Sequence, residues 1–107
     1  MTTFRNSARF APHCMSCGLQ NPNGDLLCLA HSNRQQDGKG MALKSRDEKG
    51  AIVCMKCHDL IDGRVPFLGR DARQALHTVA HEATVRWWMK AGYLTPERGE
   101  QLLREAS

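Results

Sequence analysis

Apolar residues recur every three or four positions over residues 71–92, which is the spacing of one buried face of an α-helix. The positions that follow this rule are Ala72, Ala75, Leu76, Val79, Ala80, Ala83 and Trp87. The pattern predicts one long amphipathic helix that ends at Gly92. Thr95 and Pro96 then supply an N-cap and a first helical residue, which predicts a short terminal helix over residues 96–105.

Two short apolar runs, Leu26 to Ala30 and Ala51 to Val53, have the length and composition of β-strands. The first follows a segment dense in turn formers, GLQNPNG, and is predicted to end at His31. The second is followed by residues 57–62, a helical stretch closed by Gly63. These strands and helices together predict an α+β fold.

The stretch from Ser32 to Gly50 is poor in apolar residues and rich in Gly, Lys, Arg, Asp and Gln. Such a composition predicts a long exposed loop. A loop of this length in so small a protein is usually functional.

Composition narrows the possible classes of protein. A chain of 107 residues has room for one compact domain, so we expect a single domain over residues 1–107 and exclude a two-domain enzyme. Aromatic residues make up 6% of the chain, so the core is small and mainly aliphatic, and such a core is marginal unaided.

The net charge of the chain is +4, with seven basic and four acidic residues over residues 1–53. An anionic partner is therefore expected to meet the first half of the chain.

The chain contains no run of the roughly 20 apolar residues that a membrane-spanning helix needs. Residues 1–11 lack the apolar block of a secretion signal. We therefore expect a cytoplasmic protein without membrane contact.

Four of the five cysteines fall into two identical spacings, Cys14-x-x-Cys17 and Cys54-x-x-Cys57. Two such pairs supply the four thiolates of a closed, structural Zn²⁺ site, which predicts that zinc ties the start of the chain to its middle. Unliganded cysteines would require two matched spacings by chance, and a redox pair would require a βαβ pattern. Cys28 is left over, as a buried thiol or as a replacement ligand.

His31, at the predicted end of the first strand, and His58, directly after the last cysteine, are candidates for chemistry. His58 and Asp62 are four residues apart, so on a helix they share one face and could share a divalent cation. Asp47 and Asp59 are further candidate carboxylates. Taken alone, His58 would be interpreted as a cap of the cysteine knuckle and Asp62 as part of a solvated surface pair.

The order of these features resembles the HNH endonucleases, also called ββα-metal or His-Me finger nucleases, in the subgroup with two zinc-binding cysteine knuckles. More narrowly, the chain is similar to the small prophage YbcO-like nuclease family, which is itself similar to the RecA-dependent nuclease Ref. The resemblance spans residues 5–94. The segments that carry it are Arg5 to Arg9, Leu29-Ala30-His31, Cys54 to Asp62, and Trp88 with Lys90 and Gly92.

The resemblance implies a role for each matching position. His31 would be the general base, and His58 would be a ligand of the catalytic metal ion. Asp62 stands where related nucleases often have a second histidine, so it would be a second ligand. Asp47 approximates the middle asparagine of the motif, which this chain lacks. Ala30 stands where many HNH proteins have an aspartate, so the metal-ligand set is thinner here.

The fold implied is a single HNH-like nuclease domain, with the zinc knuckles and ββα core over residues 13–63. The implied activity is phosphodiester hydrolysis in DNA with Mg²⁺ or Mn²⁺, in a phage or prophage protein linked to recombination proteins such as RecA. Basic residues in or beside the long loop would contact DNA phosphates: Arg34, Lys39, Lys44, Arg46 and Lys49. A solvated surface loop is the alternative for these five residues.

Two further functions are compatible with the same knuckles and loop. One is a zinc-ribbon-like nucleic-acid-binding module without catalysis, and the other is a structural zinc protein that acts through protein partners. His77 and His81 are interpreted as ordinary helix residues, because Thr78 stands where a metalloprotease motif needs glutamate. Trp87 and Trp88 are interpreted as packing anchors.

Overall fold

A computed structural model describes the chain over residues 4–31, 47–63 and 67–106. The elements of these segments are the strands β1 (Leu27–Ala30) and β2 (Ala51–Cys54) and the helices α1 (Met55–Asp62), α2 (Arg70–Ala91) and α3 (Pro96–Ala106). Short 3₁₀ helices at Asn6–Phe10 and Asp47–Lys49 precede the two strands. The predicted α+β class is confirmed.

β1 and β2 form an antiparallel two-stranded sheet in which Leu29 pairs with Ile52 and Ala30 with Ala51. A hairpin of this size is marginal in water unless other elements cover it. Because paired residues share a face of the sheet, the Leu29–Ile52 pair points to one side and the Ala30–Ala51 pair to the other. All four residues of β2 are buried, so both faces of the sheet are packed.

The three helices begin and end close to the predicted positions. α1 begins at Met55, two residues earlier than predicted, and Gly63 closes it in the left-handed region with its N–H bonded to the Asp59 carbonyl. Gly92, also left-handed, follows the last residue of α2. No helix of the described segments is both long and apolar enough to cross a bilayer.

The buried side chains form two clusters, one on each face of the sheet. The first cluster contains Ala8, Ala11, Leu29, Ile52, Val85, Trp88, Leu94 and Leu102, so it joins the sheet to α2 and α3. The second contains Cys14, Ala30, Ala51, Val53, Cys54, Cys57, Ile61 and Ala80, so it joins the sheet to α1 and the cysteines. The small residues of the second cluster make it thin, as the composition predicts.

Helix α2 binds the outer edge of β2 through one hydroxyl group. Thr84 Oγ1 accepts a hydrogen bond from the Ile52 amide at 3.0 Å and donates to the Ala80 carbonyl at 2.7 Å. The Ile52 carbonyl, in turn, accepts a hydrogen bond from the Met15 amide at 2.9 Å. The polar groups of this edge residue are therefore satisfied, as burial requires.

Trp88 fixes the N-terminal 3₁₀ helix to α2. Its ring is fully buried, 4.6 Å from the ring of Phe4, and its Nε1–H donates to Ser7 Oγ at 2.7 Å. Trp87, by contrast, is partly buried and lies 5.6 Å from the ring of Tyr93. Trp88 is thus the anchor that determines where the first described residues lie.

Replacing Trp88 with phenylalanine removes the indole N–H and leaves a cavity, so we expect a loss of about 2–3 kcal/mol in the free energy of unfolding. Trp87→Phe is the matched control and should cost about 1 kcal/mol or less. Urea denaturation followed by circular dichroism measures both values. Equal losses for the two variants would contradict the anchoring role of Trp88.

Candidate active site and metal centre

The first cysteine pair lies in a tight turn that directs both sulfur atoms to one side. The Gly18 amide donates to the Cys14 carbonyl at 3.0 Å, and Gly18 adopts φ +83°, a left-handed conformation that favours glycine. Cys14 Sγ accepts hydrogen bonds from the amides of Ser16 and Cys17, each at 3.4 Å. The turn therefore presents Cys14 as a preorganised acceptor.

The second cysteine pair lies where β2 passes into α1. Cys54 is the last residue of the strand, and Cys57 lies in the first turn of the helix. The Cys54 amide donates to Cys14 Sγ at 3.3 Å, which links the two pairs directly. Residues that are 40 positions apart in the chain thus meet at one point.

The four sulfur atoms lie within 4.8 Å of one another. The sulfur atoms of Cys17 and Cys54 are 3.7 Å apart. A tetrahedral zinc ion with Zn–S bonds of roughly 2.3 Å has sulfur atoms about 3.8 Å apart. All five cysteines of the chain are free thiols. The four clustered sulfur atoms are therefore available, and they are close enough to bind a metal ion such as zinc.

Burial and amide hydrogen bonds shift the pKa values of these thiols in opposite directions. Burial acts to raise the pKa of Cys14, but amide hydrogen bonds from Cys17, Cys54 and Ser16 outweigh it and lower that pKa to about 7. Burial raises the pKa of Cys57 to about 12, with contributions from the neighbouring thiols. Four anionic sulfur atoms at this distance therefore need a cation to offset their repulsion.

Cys28 does not belong to the four-cysteine cluster. It is half-buried on β1, where its thiol contacts the Val53 carbonyl at 3.5 Å and the sulfur atom of Met55 at 3.9 Å. Burial raises the pKa of the Cys28 thiol. Of the two interpretations of Cys28, the structure favours the thiol packed beside the cluster over the replacement ligand.

His31 and Asp47 meet although 16 positions separate them. His31 Nε2 donates to Asp47 Oδ1 at 2.6 Å, because an ionised carboxylate can only accept. The two side chains are 35% and 34% exposed, so water can reach the pair. Nδ1 is therefore the ring atom that can accept a proton. Arg5 Nη2 lies 4.0 Å from the same carboxylate oxygen.

His58 and Asp62 form a second pair on one face of α1, as their spacing predicts. His58 Nε2 is 3.1 Å from Asp62 Oδ2, and both side chains are about one-quarter exposed. His58 Nδ1 is buried with no hydrogen-bond partner in the described segments. The histidine ring thus has an unused nitrogen, which is costly in a buried position.

The two His–Asp pairs are separate units. Within residues 4–31, 47–63 and 67–106, the one group of three or more side chains clustered closely enough to hold a metal ion is the set of four cysteines. Neither His31 nor His58 belongs to that group. Both imidazoles therefore remain distinct from the thiol cluster.

A groove beside His31 contains two arginines that the sequence interpretation did not assign to a site. It runs between the 3₁₀ helix Asn6–Phe10 and β1, and its lining includes Arg5, Arg9, Asp25 and His31. Ser7 and Ala8 are buried between the arginines. The sequence feature that could have identified these arginines as a pair is their four-residue spacing around the small residues Ser7 and Ala8.

The basic residues expected in the long loop fall in two groups. Arg34, Lys39, Lys44 and Arg46 lie outside the described residues. Lys49 is described, and its ammonium group forms an ion pair with Glu105 of α3. Its positive charge is thus already engaged by a carboxylate.

His77 and His81 are more than ordinary helix residues. Both are buried, and they donate from α2 to the carbonyls of Ala30 at 3.1 Å and Gly50 at 2.7 Å. Ala30 directly precedes His31, and the Gly50 amide bonds to the Asp47 carbonyl at 2.9 Å. Two adjacent turns of α2 therefore hold the chain segments that carry the first His–Asp pair.

Comparison with known proteins identifies the family of the chain. A family model described as "Putative nuclease YbcO" matches residues 2–93, which include both strands, α1, α2 and all five cysteines and end before α3. No curated protein and no solved structure gives a significant match. The narrower of the two resemblances found in the sequence is confirmed. The chain belongs to the YbcO nuclease family.

Proposed function

We propose that this protein is a metal-dependent DNA endonuclease of the HNH type that hydrolyses phosphodiester bonds. The observation that carries the proposal is the 2.6 Å hydrogen bond between His31 and Asp47, in a chain of a nuclease family. This pair stands at the end of a strand, next to an arginine-lined groove open to solvent. That combination suits proton transfer beside a bound phosphate.

His31 is proposed as the general base. Asp47 accepts the Nε2–H, keeps the ring in the tautomer with an unprotonated Nδ1, and stabilises the positive charge that the ring gains on taking a proton. A water molecule gives its proton to Nδ1 and attacks phosphorus, while the bond from phosphorus to the 3′ oxygen breaks and that oxygen takes a proton from solvent. The charged Asp47 thereby takes the place of the asparagine of the HNH motif.

His58 and Asp62 are proposed to hold the catalytic divalent ion, Mg²⁺ or Mn²⁺. Their separation of 3.1 Å is close to the roughly 3.0 Å between neighbouring ligands of an octahedral ion at about 2.1 Å. A pair of protein ligands leaves positions for water and phosphate oxygens. When bound there, the ion stabilises negative charge on the phosphate and on the leaving oxygen.

The four cysteines are proposed to hold a structural zinc ion. Their sulfur geometry and four-thiol donor set fit tetrahedral zinc and leave no open position for substrate. Because the second core cluster is built of small side chains around these cysteines, zinc binding would stabilise the fold directly.

The groove is proposed as the path of the DNA backbone. Arg5 and Arg9 carry exposed guanidinium groups, which bind phosphate oxygens without reading base sequence. Arg5 also approaches Asp47, so it connects the groove to the proposed base. The link to phage recombination proteins such as RecA rests on the family resemblance alone, and the phosphate contacts of the loop over residues 32–50 rest on its basic residues.

Zinc binding is tested with Cys57→Ser and with Cys28→Ser as the matched control. Wild type should contain one zinc ion per chain by atomic spectroscopy, and Cys28→Ser should keep it. Cys57→Ser should lose the ion and more than about 3 kcal/mol of unfolding free energy, because a ligand is removed. Zinc retained by Cys57→Ser would contradict the assignment of the site.

Catalysis is tested by plasmid nicking with Mg²⁺ or Mn²⁺. We expect His31→Ala to lower the rate about 10²- to 10⁴-fold while DNA binding persists, because the proton acceptor is removed. Asp47→Asn keeps the shape of the side chain but not its charge, so the rate should fall by at least about tenfold. Asp71→Asn, on the exposed surface of α2, is the matched control. Wild type that binds DNA without cutting it would instead favour the inactive nucleic-acid-binding module.

DNA binding by the groove is tested by fluorescence anisotropy at several salt concentrations, without divalent ions. Arg5→Ala and Arg9→Ala should each weaken binding several-fold and lower the salt slope by roughly one, because each removes a phosphate contact. Arg86→Ala, exposed on α2, should leave both quantities unchanged. A full salt slope in the Arg5→Ala/Arg9→Ala double variant would exclude the groove as the DNA path.

A further inference from the structure

The turn that carries Asp47 is short and partly exposed. Asp47–Lys49 is a three-residue 3₁₀ segment without a buried residue, and Gly50 separates it from β2. Among the described residues, a backbone hydrogen bond from the Gly50 amide to the Asp47 carbonyl closes it. A turn this short needs outside contacts if Asp47 is to keep one orientation.

Helix α3 provides such contacts to the two residues that follow Asp47. Arg98 donates to Glu48 through two nitrogen atoms, with Nε 3.2 Å from Oε2 and Nη2 on Oε1. The two side chains are 28% and 17% exposed. A two-point contact between a planar guanidinium and a planar carboxylate fixes direction as well as distance. The hydrogen bond from Arg98 to Glu48 also raises the pKa of Arg98.

The second contact joins Lys49 to Glu105. The Lys49 side chain is 16% exposed, and its hydrogen bond lowers the pKa of the Glu105 carboxyl. Arg98 and Glu105 are seven residues apart, which is close to two helical turns, so they lie on one face of α3. That face of α3 therefore contacts the turn at two successive residues, Glu48 and Lys49.

α3 is itself held firmly against the rest of the fold. Leu102, which lies between Arg98 and Glu105 in the chain, is fully buried in the first core cluster. Thr95 caps the start of the helix, where its Oγ1 accepts a hydrogen bond from the Arg98 amide at 3.2 Å. Because α3 is fixed to the core, its contacts can hold the Asp47–Lys49 turn in one position relative to the core.

We propose that α3 is a positioning element for the active site, in which Arg98 and Glu105 hold the Asp47–Lys49 turn so that Asp47 stays bonded to His31. α3 begins beyond residues 2–93, which the family model matches. The catalytic consequence rests on the proposed function. The structural consequence, an ordered His31–Asp47 bond, does not.

The experiment compares Arg98→Ala, Arg98→Lys and the charge-reversed pair Glu48→Arg/Arg98→Glu with wild type. Glu100→Ala, exposed on the same helix, is the matched control. Long-range ¹H–¹⁵N NMR of the His31 ring, without DNA, reports whether Nε2–H remains bonded to Asp47. Plasmid cleavage gives kcat and KM, while zinc content and circular dichroism verify the fold. Glu48→Gln, which keeps the side-chain shape, replaces Arg98→Ala if that variant folds poorly.

We expect Arg98→Ala to lose the His31 Nε2–H signature and to lower kcat by about tenfold or more, with KM changed less than about twofold. Arg98→Lys should retain part of the activity, and the charge-reversed pair should have more activity than Arg98→Ala. Glu100→Ala should behave as wild type. An exposed ion pair with a merely structural role would shift the melting temperature by a few degrees and leave kcat unchanged.

An unchanged His31 spectrum together with an unchanged kcat in Arg98→Ala would overturn the proposal. Wild type without cleavage, combined with a His31 signature that disappears in Arg98→Ala, would overturn the proposed function and support the positioning role. The His31 spectrum therefore tests the positioning role of α3, and cleavage by the wild type tests the proposed function.

Discussion

The meeting of four thiols at the junction of β2 and α1 is the constraint on which the rest of this fold depends. It joins the N-terminal turn to the middle of the chain, and the second core cluster is built around it. The surrounding side chains are mostly alanine, valine and cysteine, which bury little apolar area. A two-stranded sheet with so thin a cover on one face gains most from a cross-link that draws sequence-distant segments together.

The two His–Asp pairs are positioned by different parts of this framework. His58 and Asp62 stand on α1, whose first turn contains Cys57, so their placement follows from the thiol cluster. His31 and Asp47 depend instead on α2, whose buried histidines bond to the carbonyls of neighbouring residues. Side chains on connections that a rigid scaffold positions often carry function in proteins.

The N-terminal segment belongs to the same scheme. Trp88 of α2 contacts Ser7 and Phe4, and the 3₁₀ helix that contains Ser7 leaves Arg5 and Arg9 beside β1. One helix, α2, therefore orders the groove, the end of β1 and the start of β2 at once. Its length of 22 residues allows it to do so, because each region meets a different turn.

The features that depend on near neighbours in the chain could be predicted from the sequence. These are the α2 periodicity, the glycine ends of α1 and α2, the paired cysteine spacings, and the meeting of His58 and Asp62 one helical turn apart. Tertiary structure alone decided the contacts between distant segments: Asp47 with His31, and the inward donation of His77 and His81 from α2. Helical spacing shows which residues share a face, but the packing of α2 on the strands determines which carbonyls that face meets.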